Sequence, residues 1–213
     1  MKFSKLNNQQ KGSFLAFIGV IFITPDSLLI RLSSIETWGM LFYRGFIPFV
    51  AVLLGLVIFY KKDFYKALVN IGYTGIFYSI SFSICNITFI ISIQNTNVAN
   101  TLIMVAMAPM LSALLAAFFL KEYTDKKTWI AIFITFLSVA FIFYDSIQLG
   151  NLLGDIFGFI TALGLAVNAN LARFAKKRDL VPAAVIGKLG TAVFAFFFVQ
   201  SFALNNYDIF IIP

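Results

Sequence analysis

The sequence predicts an all-α integral membrane protein, a multi-pass helical bundle of about seven transmembrane helices. Three observations carry this. Of 213 residues, 61% are hydrophobic and 12% charged, with 27 Phe, too few polar residues to coat a soluble globule; the mean hydropathy is +0.93. Apolar runs of 17–25 residues recur between clusters of charge, and about 20 apolar residues are needed to cross a bilayer as a helix. Finally, the cations fall in alternate connections, as they do when a chain weaves through a membrane.

The runs cover residues 13–30, 38–60, 69–93, 98–120, 128–144, 152–171 and 181–204. They are apolar on all sides and far longer than a strand, which fits helices in lipid, where every backbone polar group must pair within its own segment. The first run contains Pro25 and Asp26 and no small-residue cleavage site, so it reads as a retained span rather than a cleavable leader. Trp38 and Trp129 begin spans and read as interfacial anchors.

Lys2, Lys5 and Lys11 precede span one. Lys61, Lys62 and Lys66 follow span two, Lys121, Lys126 and Lys127 follow span four, and Arg173, Lys176, Lys177 and Arg178 follow span six. These hold 13 of the 16 cations, and the intervening connections contain only Arg31. The alternation predicts a cytoplasmic amino terminus and an outside carboxyl terminus. It also assigns the net charge of +7 to topology rather than to nucleic-acid binding.

An internal repeat is visible. A shift of 142 positions lays Gly12 on Gly154, Phe17 on Phe159, Ile18 on Ile160, Leu29 on Leu171, Arg31 on Arg173, and Asp26 on Asn168. After a two-residue gap, Arg44 falls on Lys188. Five spans separate the copies, so the two run in opposite directions, as inverted repeats do in carriers. The expected organisation is one five-helix repeat over residues 1–148 and a partial second repeat, spans six and seven, over residues 149–213.

The segment Ala108-Pro109-Met110-Leu111-Ser112-Ala113-Leu114-Leu115, followed by Phe119-Leu120-Lys121-Glu122, resembles the Pro-containing helix and short Glu-bearing loop of EamA-type transporters of the drug/metabolite transporter superfamily. Trp38-Gly39-Met40-Leu41-Phe42-Tyr43-Arg44-Gly45 is similar to that family's second helix. The resemblance implies two inverted five-helix repeats and transport of small metabolites. It also implies ten helices, so the chain reads as shortened at its carboxyl end. In the fifth span Ala131 and Ser138 stand where many members have Gly, and both are small enough for close helix contact.

The candidate solute-binding residues are Asp26, Arg44, Asn86, Asn100, Met104, Asn168 and Lys188. Asp26 is about 6 Å, and Arg44 about 9 Å, from the outer ends of their spans at 1.5 Å per residue. A lone membrane charge costs about 2.5–3.5 kcal/mol on insertion scales, which favours pairing or a shared polar cavity. The competing reading has Arg44 snorkel to the outer headgroups while Asp26 caps a helix broken at Pro25. Lys188 lacks a matching acid, because Asp26 aligns with Asn168, and either receives an anionic solute group or snorkels inward. Gly72, Gly75, Ser79, Ser83 and Asn86 form a small and polar stripe on span three, and Gly154, Gly158, Thr161 and Asn168 one on span six. Close helix packing explains most of these; Asn100, Met104 and the amides suit a pocket for small ligands. Pro109 is expected to kink span four, and Glu122 to pair with Lys126.

With no His and one Cys, the chain lacks His-based catalysis, His or Cys metal sites and disulfides, and it has no nucleophile–base pair for intramembrane catalysis. No enzyme activity and no cofactor are implied. The partners expected are the lipid bilayer and a small-molecule solute. The expected function is transport of a small metabolite by alternating access in a bacterial-type inner membrane. Arg44 and Lys188 favour an anionic or zwitterionic solute such as an amino acid derivative. The alternative is a shortened, transport-inactive chain, or a subunit that completes its bundle with a second copy or a partner chain.

Overall fold

A computed structural model describes residues 7–23, 25–121, 125–175, 178–202 and 208. Among them every regular element is helical: α1 (Asn8–Ile23), α2 (Asp26–Leu32), α3 (Thr37–Tyr60), α4 (Phe64–Val69), α5 (Gly72–Asn95), α6 (Val98–Ala106), α7 (Ala108–Leu115), α8 (Lys126–Leu149), α9 (Leu152–Ala175) and α10 (Val181–Phe196), with a π-helical turn over Ala116–Leu120. The protein is an all-α membrane protein. Among the described residues five stretches are long and apolar enough to cross a bilayer: Thr37–Val69, Gly72–Asn95, Val98–Phe119, Lys126–Ile147 and Leu152–Ala175. They correspond to spans two to six.

The outermost two expected spans differ from expectation. Span one is not a single helix over residues 13–30: it divides into α1 and α2, because Pro25 has no N–H with which to continue the ladder of α1. Asp26 therefore sits at the break, in the first turn of α2. Span seven ends at Phe196 instead of continuing to residue 204. There the chain turns, with Phe198 and Val199 both donating to the Ala195 carbonyl. The Gln200 N–H then binds Glu36 Oε2, and Tyr43 OH donates to the Phe202 carbonyl. At 16 residues, α10 is about 24 Å long, short of a full crossing. Lys2, Lys5, Glu122, Lys176, Lys177 and residue 204 lie outside the described residues, and the expected Glu122–Lys126 pair with them.

Span four is interrupted as expected, at Met107 between α6 and α7. The Met107 N–H turns to the Met104 carbonyl, and Pro109 removes the next donor in the ladder. Asn97 caps α6 by accepting from the Ala99 N–H at 3.1 Å, the usual service of an N-cap amide.

The centre of the bundle is α5, which packs along α9 and α10; α3 packs on α10, and α6 and α7 on α9. Both stripes of small and polar residues face these contacts. On α5, Ser79 Oγ donates to the Ala183 carbonyl at 2.7 Å, and Ser83 pairs with Thr191 at 3.2 Å. Toward α9, Thr88 pairs with Thr161 at 2.7 Å. A Cβ on Gly154 would sit 2.5 Å from the Asn95 carbonyl carbon, so only glycine lets α9 touch the α5 terminus. In contrast, Ala131 and Ser138 are exposed: α8 meets its neighbours through Ile132, Val139 and Ser146 instead of through the small residues. Trp38 is also no simple surface anchor, since its ring stacks on Phe198 at 4.8 Å, while Trp129 is 45% exposed.

Candidate functional site

Asp26 and Arg44 are 18 residues apart, and the break before α2 brings them together. Arg44 Nη1 lies 2.5 Å from Asp26 Oδ1 and Nη2 lies 2.7 Å from Oδ2, a two-pronged ion pair whose side chains are 16% and 17% exposed. Such forked pairing is the strongest geometry that an Arg offers a carboxylate. On the next turn of α3, Pro48 removes the N–H that would pair with the Arg44 carbonyl, so the helix is locally loosened beside its charge.

Gly45 sets the neighbour of this pair. A Cβ there would lie 2.7 Å from the Ala192 N and 2.9 Å from the Lys188 carbonyl oxygen, so α3 and α10 cross backbone to backbone at this glycine. The crossing places the cation-bearing turns of α3 and α10 side by side.

Among the described residues Lys188 takes no carboxylate. Its Nζ donates to Asn86 Oδ1 at 2.6 Å and lies 5.5 Å from the centre of the Phe82 ring. Asn86 is held for this by its own helix, its Nδ2 donating to the Phe82 carbonyl at 2.6 Å. An amide oxygen and a ring face both attract a cation but neither neutralises it. The site thus gathers one carboxylate, Asp26, and two basic side chains, Arg44 and Lys188.

A cavity of about 440 Å³ lies between α5 and α10. Its wall is chiefly apolar, with Ile80, Ile84, Ile87, Ile186 and Phe194, and none of Asp26, Arg44, Asn86 and Lys188 lines it. Its size lies in the range of small-molecule sites.

The other expected site residues stand apart from this cluster. Asn168 is 5% exposed; its Nδ2 donates to Cys85 Sγ at 3.8 Å, and its Oδ1 has no hydrogen-bond partner. Asn100 Nδ2 reaches Ser146 Oγ at 3.4 Å. Met104 is fully buried with Met107, Leu111, Val139, Ala162 and Ala166 in the apolar core. The geometry thus joins Asp26, Arg44, Asn86 and Lys188, leaving Asn100, Met104 and Asn168 at helix contacts.

Two buried acids escaped the sequence reading, Asp155 and Asp208, the latter accepting from the Ser34 N–H at 3.1 Å and Ser34 Oγ at 2.8 Å. Asp155, fully buried in the first turn of α9, accepts from Thr96 Oγ1 at 2.6 Å and from Ser146 Oγ. It ties the starts and ends of three helices together. Its position after Gly154, at a helix start following a loop, was the available signal: a carboxylate there is favoured by the helix dipole. Arg31, similarly, donates from Nη1 to the Ile93 carbonyl at 2.7 Å and to that of Gln94 at 3.2 Å, satisfying the end of α5.

Lipid-length helices with an ion pair beside the helix break at Pro25 define a multi-pass membrane protein. The chain belongs to the EamA-like transporter family, whose model matches residues 10–144, and through it to the drug/metabolite transporter superfamily. Neither a curated protein nor a solved structure matches the chain.

Proposed function

We propose that the protein carries a small solute with an anionic group across the membrane by alternating access, with Arg44 and Lys188 receiving that group. The observation that carries this reading is Lys188: a membrane-embedded cation whose partner is the neutral Asn86 oxygen at 2.6 Å. An uncompensated intramembrane charge is retained against a cost of several kcal/mol only where it serves function, and a solute anion supplies what Asn86 lacks. The break at Pro25, beside Asp26, supplies a discontinuous helix of the kind that carriers use near their sites.

In this reading Asn168, with its free carbonyl oxygen, is a reserve polar group reached when α5 and α9 shift, while Asn100 and Met104 lie on the surfaces that slide. The two inverted repeats, residues 1–148 and 149–213, are the bodies that rock, and α3 and α10, crossing at Gly45, are their equivalent second helices. The chain sits in a bacterial-type inner membrane with its amino terminus cytoplasmic, as the alternation of cations supports.

Reconstitution in proteoliposomes tests this. Uptake of labelled small carboxylates, amino acids and neutral analogues is compared for the natural protein and for Arg44→Gln and Lys188→Gln. Loss of anion uptake in both variants, with the folded fraction retained, is the expected result. Unchanged uptake in both would sink the reading.

A further inference from the structure

We infer that the pocket where α3, α4 and the start of α10 meet holds the headgroup of a phospholipid that carries a phosphate and a primary ammonium. The pocket has a volume of about 400 Å³ and is lined by Tyr60, Ala67, Asn70, Arg178 and Asp179. It lies at one membrane surface: Tyr60 ends α3, Gly72 opens α5, and the chain turns between them. Tyr65 and Tyr73, in and just after that turn, are 75% and 84% exposed, as Tyr at headgroup level is. Phe59, 81% exposed on the spanning side of Tyr60, offers acyl chains an apolar face.

Two charges in the wall carry the chemistry. Arg178 seats its guanidinium on Gly72, where a Cβ would lie 2.4 Å from Nη1, so glycine lets this cation rest on the amino end of α5. That end is the positive pole of a 24-residue helix, which favours an anion and opposes a cation. A phosphate on Arg178 reverses the misfit, and a guanidinium is the side chain best shaped to hold one. The Asn70 amide adds donors to the same wall. Asp179 is occupied only by neutral donors, the Val181 N–H at 2.9 Å on Oδ1 and Tyr60 OH on Oδ2. Among the described residues Arg178 and Asp179 form no ion pair, with each other or with any other group. The wall thus presents one cation and one anion side by side, which a zwitterion answers. Its cationic end must suit a carboxylate that accepts hydrogen bonds, and a primary ammonium brings N–H donors where a trimethylammonium brings none. A glycerol headgroup leaves Asp179 unanswered, and a serine headgroup brings a second anion to a wall with one cation. Lys61 and Lys62, which follow Tyr60 directly, attract any anionic lipid, so preference for the balanced headgroup is what separates the pocket from general surface charge.

The purified full chain in detergent micelles is titrated with phosphatidylethanolamine, its mono-, di- and trimethylated forms, phosphatidylglycerol and phosphatidylserine on matched acyl chains, and separately with free phosphoethanolamine. Bound lipid is counted by native mass spectrometry, with the melting temperature read alongside. The expected result is phosphatidylethanolamine bound about tenfold tighter than the trimethylated form, the lower end for one charged hydrogen bond, with affinity falling along the methylation series. Arg178→Gln is expected to lose about tenfold for every phospholipid. Asp179→Asn, which keeps an acceptor for the Val181 N–H, is expected to level the methylation series and turn the preference to phosphatidylglycerol. Equal binding of the unmethylated and trimethylated lipids by the natural protein overturns the assignment, as does a preference for phosphatidylglycerol or phosphatidylserine. Binding of free phosphoethanolamine without binding of the lipid assigns the pocket to a soluble phosphoester and overturns the lipid. The methylation series is read on the natural protein, so it decides the matter whether or not the variants fold.

Discussion

Two cations meet where α3 crosses α10, and their surroundings differ in one decisive way. Arg44 has a carboxylate on both of its terminal nitrogens, whereas Lys188 has an amide oxygen and a ring face. The first turn is electrostatically complete and the second is not. Sequence symmetry, which aligns Asp26 with Asn168, does not carry over to contacts: the amide at Lys188 is Asn86 of α5, while Asn168 packs on Cys85. One cation is closed by a carboxylate, and the other is held by an amide oxygen and a ring face.

The largest disturbance of this comparison comes from its pivot. A leucine at Gly45 must occupy space where even a Cβ meets Ala192 N at 2.7 Å, and overpacking of this kind costs about 3 kcal/mol. Gly45→Leu is therefore expected to abolish the monodisperse peak in fluorescence-detected size exclusion, because both cation sites lose their shared crossing.

The paired side breaks next. Asp26→Ala strands Arg44, at a cost of about 2 kcal/mol, somewhat below that of a fully buried pair because solvent still reaches both side chains. Denaturation in micelles reads this directly. If Asp26→Ala and Arg44→Met destabilise equally and additively in the double variant, the ion pair contributes nothing as a pair.

A sharper experiment makes the second turn resemble the first. Asn86→Asp gives Lys188 its own carboxylate within reach of the present 2.6 Å contact, and the variant should gain about 1 kcal/mol while losing anion binding. Higher melting temperature together with undiminished uptake would show that Lys188 has no role in receiving solute.

The smallest effect on stability belongs to Lys188→Met. Removing a cation that lacks a carboxylate leaves stability within about 1 kcal/mol of the original, in contrast to Asp26→Ala. Parallel melts of the two variants decide whether the asymmetry between the turns is energetic as well as geometric.

Much of this was legible in the residues. Hydropathy located spans two to six, since a helix in lipid must be long and apolar whatever it packs against. Pairing of Asp26 with Arg44 could be anticipated from matched depths, because unpaired charges in a membrane are costly. Less could be read at the edges. A run of apolar residues to 204 did not reveal that α10 stops at Phe196, as that depends on Glu36 and Tyr43 capturing backbone from a distant segment. Likewise, Ala131 and Ser138 looked suited to helix contact, yet size permits contact without causing it.

By itself, then, the sequence determined the solvent, the helical class, the family and the sites of embedded charge, because each follows from composition, length or local motif. Which charge meets which partner was decided only by tertiary structure. Arg44 and Lys188 are alike as isolated residues; the Gly45 crossing, the break at Pro25 and the placement of Asn86 on α5 make one neutral and leave the other positive. Electrostatic energy depends on distance and on the dielectric between groups, and those are properties of packing rather than of residue identity.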